Sequence, residues 1–152
     1  MSRALVAVLA TVMLAGCSGG APDPKVLALI NELGSPSVEA RTRAAQEIQR
    51  FGPAASAAVP ALIANLGTGH RNQMLVVNAT NALLRIGPRA SVPKLIEAVQ
   101  AGDPEIAYGA AFTLGGFGAA AKPAVPALLA ALENPDVRPA AHTALQMIGE
   151  ES

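Results

Sequence analysis

Residues 124–149, AVPALLAALENPDVRPAAHTALQMIG, contain the two landmarks that decide the fold of the chain. The first landmark is the pair Val125-Pro126, and the second is the pair Ile148-Gly149. Between them, Asn134-Pro135-Asp136 has the composition of a turn. Proline is tolerated in the first turn of a helix, and glycine ends a helix at low cost because it adopts the left-handed conformation. The stretch therefore predicts a helix, a turn and a second helix.

Both landmarks repeat along the chain. A bulky apolar residue precedes a glycine four times, with the glycines 35, 31 and 31 residues apart, at Phe51-Gly52, Ile86-Gly87, Phe117-Gly118 and Ile148-Gly149. The Val-Pro pairs are 33 and 33 residues apart, at Val59-Pro60, Val92-Pro93 and Val125-Pro126. Two landmarks that alternate with one period indicate a repeat protein.

Each glycine follows apolar residues in steps of three and four, which lie on one face of a helix. The second repeat has Leu75, Ala79, Leu83 and Ile86, and Leu114 has the position of Leu83 in the third. Together with a first helix near Lys25 to Leu33, the sequence predicts eight helices in four hairpins, without a sheet.

The segment Asn134-Pro135-Asp136-Val137-Arg138 is similar to the typical segment of HEAT repeats of the short, phycobilisome-lyase type. Asp103-Pro104-Glu105-Ile106 matches the same start, although Ala107 replaces the usual arginine. The resemblance spans about residues 25–149. It implies an all-α fold, a right-handed α-solenoid of about four HEAT-like hairpins over residues 25–152. It also implies that the second helix of each hairpin lines the concave surface.

The N-terminus has the pattern of an export signal. Residues 4–15 form an apolar run of 12 residues, short of the ~20 that a membrane-spanning helix needs. Leu14-Ala15-Gly16-Cys17 resembles the lipobox of bacterial lipoproteins, which implies that residues 1–16 are removed and that Cys17 carries lipid. Residues 17–24 then predict a flexible tether. The resemblance implies a membrane-anchored protein of the cell envelope, and Ser18 favours the outer membrane if the enterobacterial sorting rule applies.

The composition argues against several kinds of site. The chain of 152 residues balances 11 Lys+Arg with 11 Asp+Glu, so it lacks the basic excess of a nucleic-acid binder. One cysteine and two histidines, His70 and His142, leave little for a metal site. Gly115-Gly116-Phe117-Gly118 does not follow a strand, as a dinucleotide site would. We therefore expect no cofactor, no metal and no catalytic residues.

An apolar stripe in the two middle repeats is the candidate contact site. Positions 10, 6 and 3 residues before each glycine point roughly 180–240° away from the core direction at 100° per residue. The middle repeats have Val77, Asn81 and Leu84, and Tyr108, Phe112 and Gly115 there, whereas the first and last repeats are mostly polar. One interpretation is a protein-binding site on the concave face. The alternative is that these residues belong to the core.

Three functional classes follow. The leading one is a lipid-anchored envelope scaffold that binds another protein or peptide through its concave helix face. The second is a non-catalytic structural or accessory subunit of a membrane complex. The third, which the resemblance suggests for some relatives, is a bilin lyase, and the export signal and the lack of catalytic candidates argue against it.

Overall fold

The computed structural model describes residues 20–68 and 71–150. Within those ranges there is no strand, and the chain forms eight α-helices: α1 (Pro24–Leu33), α2 (Val38–Ile48), α3 (Val59–Ala64), α4 (Gln73–Ile86), α5 (Pro88–Gln100), α6 (Pro104–Gly116), α7 (Val125–Ala131) and α8 (Arg138–Glu150). Three 3-10 segments connect or extend them: Gln49–Ala58, Asn65–Thr68 and Gly118–Ala124. The all-α prediction is confirmed.

The predicted signal at residues 1–16, the predicted lipidation site Cys17 and the residue His70 lie outside the described residues. Of the predicted tether, residues 20–23 precede α1, but Pro24 already belongs to that helix. The Asp23 side chain accepts a hydrogen bond from the backbone N–H of Lys25 at 2.8 Å, so it caps the helix. No helix in the described residues is long and apolar enough to cross a membrane.

The helices pack as four hairpins in two rows. Each odd-numbered helix packs against the even-numbered helix that follows it. The even-numbered helices α2, α4, α6 and α8 also contact one another in order, and we call them the second-helix row; the odd-numbered helices form the other row. This is the arrangement of an α-solenoid, in which each hairpin buries its apolar face against its neighbours.

Glycines turn the chain between hairpins where the spacing predicts them. Gly52, Gly87 and Gly118 have φ values of 52°, 104° and 55°, a backbone region that favours glycine. Gly149 differs, because it lies within α8 instead of ending it. No further helix follows it in the described residues, so no turn is required there.

The first residue of α5 differs from the prediction. Helices α3 and α7 begin at Val59 and Val125 as expected, but α5 begins at Pro88 and not near Val92. In that repeat only four residues separate Gly87 from the valine, whereas six do so in the other two repeats. The longer connections form 3-10 turns, while the short one leaves Pro88 in the first helical turn, where its fixed φ suits a helix.

The core lies between the two rows. Leu75, Leu83 and Leu114 are fully buried, as predicted. Leu129 on α7 is instead 53% exposed, although its spacing resembles that of Ile63, which is buried. Because α7 belongs to the last hairpin of the described chain, it has a neighbouring hairpin on one side only.

Candidate functional site

Helices α4 and α6 expose four large apolar side chains on the second-helix row: Met74, Val77, Tyr108 and Phe112. Val77 is 53% exposed, Tyr108 is 44% exposed and Phe112 is 53% exposed. The predicted polar neighbour Asn81 is also exposed. Val77, Asn81, Tyr108 and Phe112 therefore face away from the core.

Leu84, the remaining residue predicted for the site, does not share this exposure. It is half-buried, and a Cβ atom built on Gly116 of α6 would lie 3.2 Å from the Leu84 Cδ2. Gly115 of α6 is buried in the same way, since its Cβ would lie 3.0 Å from the Cα of Ala144 on α8. Leu84 and Gly115 thus pack between neighbouring helices, whereas Gln146, the corresponding residue of the last repeat, is exposed.

Three of these exposed apolar side chains, Val77, Tyr108 and Phe112, border a groove between α4 and α6. We call it the α4–α6 groove; it has a volume of about 360 Å³. Val77 lines it from one helix, and Tyr108 and Phe112 line it from the other. The remaining lining residues come from both helices and from the 3-10 segment between α3 and α4: Leu66, Gln73, Val76, Thr80, Glu105 and Gly109.

Gly109 permits the close approach that shapes one end of the groove. A Cβ atom on Gly109 would lie 2.8 Å from the Leu66 Cβ and 3.3 Å from the Leu66 carbonyl oxygen. The 3-10 segment can therefore lie directly against α6 only because residue 109 has no side chain. Leu66 itself is almost completely buried.

A hydroxyl pair joins the two helices beside the groove. The buried Thr113 hydroxyl donates to the Gly109 carbonyl oxygen at 2.8 Å, and the Thr80 and Thr113 oxygens are 3.4 Å apart. Because the Thr113 proton is used within α6, Thr80 is the donor between the helices. This contact links α4 and α6 beside the groove.

Asn65 holds the 3-10 segment to the first hairpin. Its Nδ2 donates to the carbonyl oxygens of Leu33 and Ala61 at 3.1 and 2.8 Å, and its Oδ1 accepts from Arg41 Nη1 at 3.1 Å. The side chain is buried with its amide nitrogen and oxygen both paired. It therefore positions the segment that contributes Leu66 to the groove.

Glu105 is the charged side chain that lines the groove. The ion pairs in the described residues join Arg43 to Glu32 and Lys94 to Glu97, at 3.2 and 2.9 Å. The Glu105 carboxylate has no hydrogen-bond or ion-pair partner in that part of the chain, although its backbone N–H is capped by Asp103. Its charge faces solvent at the first turn of α6.

Within residues 20–68 and 71–150 there is no group of three His, Cys, Asp or Glu side chains that could hold a metal ion. His142 is exposed on α8. A backbone hydrogen bond and the Ser37 hydroxyl lower the pKa of Glu39, in α2.

The sequence pattern did not identify the groove residues outside the stripe. Gly109, Thr80 and Glu105 were missed. At the positions that correspond to Gly109 and Thr80, the other repeats hold different residue types. A signal was available for Asn65, since the corresponding residues of the next two repeats are Ala98 and Ala131. Because buried amide groups are usually hydrogen-bonded, an asparagine where the other repeats have alanine indicates a specific hydrogen-bonding role.

Comparison with known proteins agrees with this architecture. A search of curated proteins found no match to the chain. A family model described as HEAT repeats matches residues 92–152, which include α5 from Val92 onward and the whole of α6, α7 and α8. The C-terminal two hairpins, with Tyr108 and Phe112 of the groove, are therefore HEAT repeats, and the chain is a HEAT repeat-containing protein.

Proposed function

We propose that this protein is a lipid-anchored scaffold of the bacterial cell envelope that binds another protein at the α4–α6 groove. The contact residues are Val77, Asn81, Tyr108 and Phe112, and Leu84 supports them from between the helices. HEAT repeats typically bind proteins, and the resemblance places the second-helix row on the concave side. The repeats are proposed to be of the phycobilisome-lyase type.

The observation that carries this proposal is the exposure of three large apolar side chains around one groove. Val77 and Phe112 are each 53% exposed and Tyr108 is 44% exposed. Exposed apolar side chains that surround a concave surface are typical of protein contact sites, and aromatic side chains contribute most when a partner covers them. Gln73, Thr80 and Glu105 supply a polar rim of the kind that interfaces have.

The proposed activity is binding without catalysis. The polar side chains of the groove do not pair as a nucleophile and a base, because the Thr80 hydroxyl contacts Thr113 and the Glu105 carboxylate has no partner in the described residues. The proposed role thus needs no cofactor.

Photo-crosslinking in cells tests the groove. A photoreactive amino acid replaces Phe112 in one variant and Leu129 in another, since both side chains are 53% exposed but lie on different rows. We expect the residue at position 112 to crosslink to one or more discrete partner proteins. The residue at position 129 should give no crosslinked product of the same size. Identical products from both positions would contradict a specific site at the groove.

The lipid anchor rests on Leu14-Ala15-Gly16-Cys17 and is tested separately. Metabolic labelling with a fatty acid should mark the wild-type protein and should not mark Cys17→Ser. Equal labelling of the two proteins would contradict lipidation of Cys17. It would not contradict protein binding at the α4–α6 groove. Fractionation of the labelled cells then tests the envelope location.

A further inference from the structure

The α4–α6 groove has apolar side chains on both sides, which can contact one large apolar side chain of a partner. Val77 stands on one side of the groove, and Phe112 stands on the other. Val76 of α4 and the nearly buried Leu66 of the 3-10 segment also line it. A side chain inserted here would cover apolar surface that water now contacts, which favours binding roughly in proportion to the area covered.

A negative charge lies at a fixed distance from that apolar position. Glu105 and Phe112 are seven residues apart on α6, which corresponds to about 10 Å along the helix axis at 1.5 Å per residue. The Glu105 carboxylate has no cationic partner among the described residues. A partner with a cation about 10 Å from its apolar residue would therefore complement both features.

The polar groups of the groove favour an extended partner segment over a helix. An extended segment has unpaired backbone N–H and C=O groups, whereas a helix uses nearly all of its own. The Gln73 amide, which can both donate and accept, lines the groove without a hydrogen-bond partner in the described part of the chain. An extended segment in the polyproline II conformation has three residues per turn and a rise of about 3.1 Å per residue, so residues three apart lie on the same face about 9 Å apart.

From this geometry, and resting on the proposed function, we infer that the groove takes an extended segment of a protein partner with a lysine or arginine three residues from a large apolar residue. The cation faces Glu105, and the apolar side chain lies between Val77 and Phe112. Rim charges contribute more to partner selection than to affinity, so the cation distinguishes this segment from other apolar ones.

A random octapeptide library displayed on phage tests the inference directly. Peptides are selected on the purified full chain at low ionic strength, and those that also bind the Phe112→Ala chain are removed. The inference expects enrichment of peptides with Lys or Arg three residues from a large apolar residue. The most enriched peptide is then labelled with a fluorophore, and its affinity is measured by anisotropy.

Charge variants at position 105 provide the decisive comparison. Glu105→Gln should weaken binding of the labelled peptide by about two- to fivefold, the range expected for an exposed ion pair, and Glu105→Lys should weaken it further. Added salt should reduce the difference between the wild type and Glu105→Gln. The matched control is Glu133→Lys, at an exposed acid between α7 and α8 outside the groove, which should bind like the wild type.

The outcomes separate this inference from the proposed function. Apolar peptides without a cation, or equal affinity for the wild type and Glu105→Lys, would overturn the inference while supporting an apolar docking groove. Failure to recover any Phe112-dependent peptide would also overturn it. The crosslinking comparison of positions 112 and 129 decides the proposed function independently of the library.

Discussion

Gly109 and Leu66 lie so close together that a Cβ atom on Gly109 would stand 2.8 Å from the Leu66 Cβ. The contact joins α6 to the 3-10 segment Asn65–Thr68, which belongs to the preceding repeat. The neighbouring atoms on Leu66 are its Cβ and its backbone, which cannot rotate away as the end of a long side chain can. The distance between these repeats is therefore set by the absence of a side chain at position 109.

We expect Gly109→Ala to destabilise the protein by about 1 kcal/mol. Alanine gains up to about 1 kcal/mol in helix propensity, but overpacking against Leu66 costs about 1–3 kcal/mol. Urea unfolding measures the change in the free energy of unfolding. The matched control is Gly149→Ala in α8, where an added Cβ meets no atom within 4 Å and should give equal or greater stability. A Gly109→Ala chain as stable as the wild type would contradict the close approach.

Replacement of Asn65 by leucine should lower the free energy of unfolding by about 1–3 kcal/mol. The substitution leaves the Leu33 carbonyl oxygen and Arg41 Nη1 without the partners that Asn65 supplies at 3.1 Å each. A double-mutant cycle with Arg41→Met isolates the Arg41–Asn65 contact, because methionine keeps much of the side-chain stem. Strictly additive effects of the two substitutions would mean that the two side chains do not interact.

The repeat spacing was enough to predict the helices, since periodicity and turn residues act locally. Leu83 and Leu114 were correctly placed in the core for the same reason. The exposure of Leu129 depends on which hairpins surround it, and the partial burial of Leu84 depends on Gly116 in the next repeat. Such features follow from the stacking of repeats, which no single repeat encodes.

The groove could be predicted only in part. Val77, Tyr108 and Phe112 were recognised because large apolar residues stood at positions that are mostly polar in the outer repeats. Glu105 was not recognised, because an acid in the first turn of a helix is expected at many sites that bind nothing. Its place in the groove depends on the approach of α6 to α4, which the sequence pattern does not show.

Truncation of a core leucine and of an exposed one should differ strongly. Leu114→Ala should cost about 2–5 kcal/mol because the side chain is fully buried. Leu129→Ala should cost much less, since the side chain is 53% exposed. Thermal or urea unfolding of the two variants measures the difference. Similar losses of stability would indicate that the last hairpin is covered by another part of the chain or by a second copy.

The Glu39 carboxyl should titrate below its ordinary pKa of 4.5, because a backbone hydrogen bond and the Ser37 hydroxyl stabilise its charged form. With a lowered pKa in the folded state, its stabilising contribution is present above pH 4.5 and is lost as the pH falls through the folded pKa. Ser37→Ala should raise the pKa only part of the way, since the backbone hydrogen bond remains. An NMR titration of the Glu39 side chain checks the direction, and an unchanged pKa in Ser37→Ala would contradict the assigned role of the hydroxyl.

The most direct measurement of the central claim combines partner crosslinking with thermal unfolding of Phe112→Ala. A photoreactive residue at position 77 reports partner contact, and Leu129→Ala serves as the control with the same 53% exposure at the substituted side chain. The account predicts that Phe112→Ala abolishes most of the crosslinked product and leaves the unfolding midpoint nearly unchanged, while Leu129→Ala alters neither. Undiminished crosslinking in Phe112→Ala, or a loss of stability of about 3–5 kcal/mol as for a buried phenylalanine, would contradict the claim that Phe112 is a partner contact.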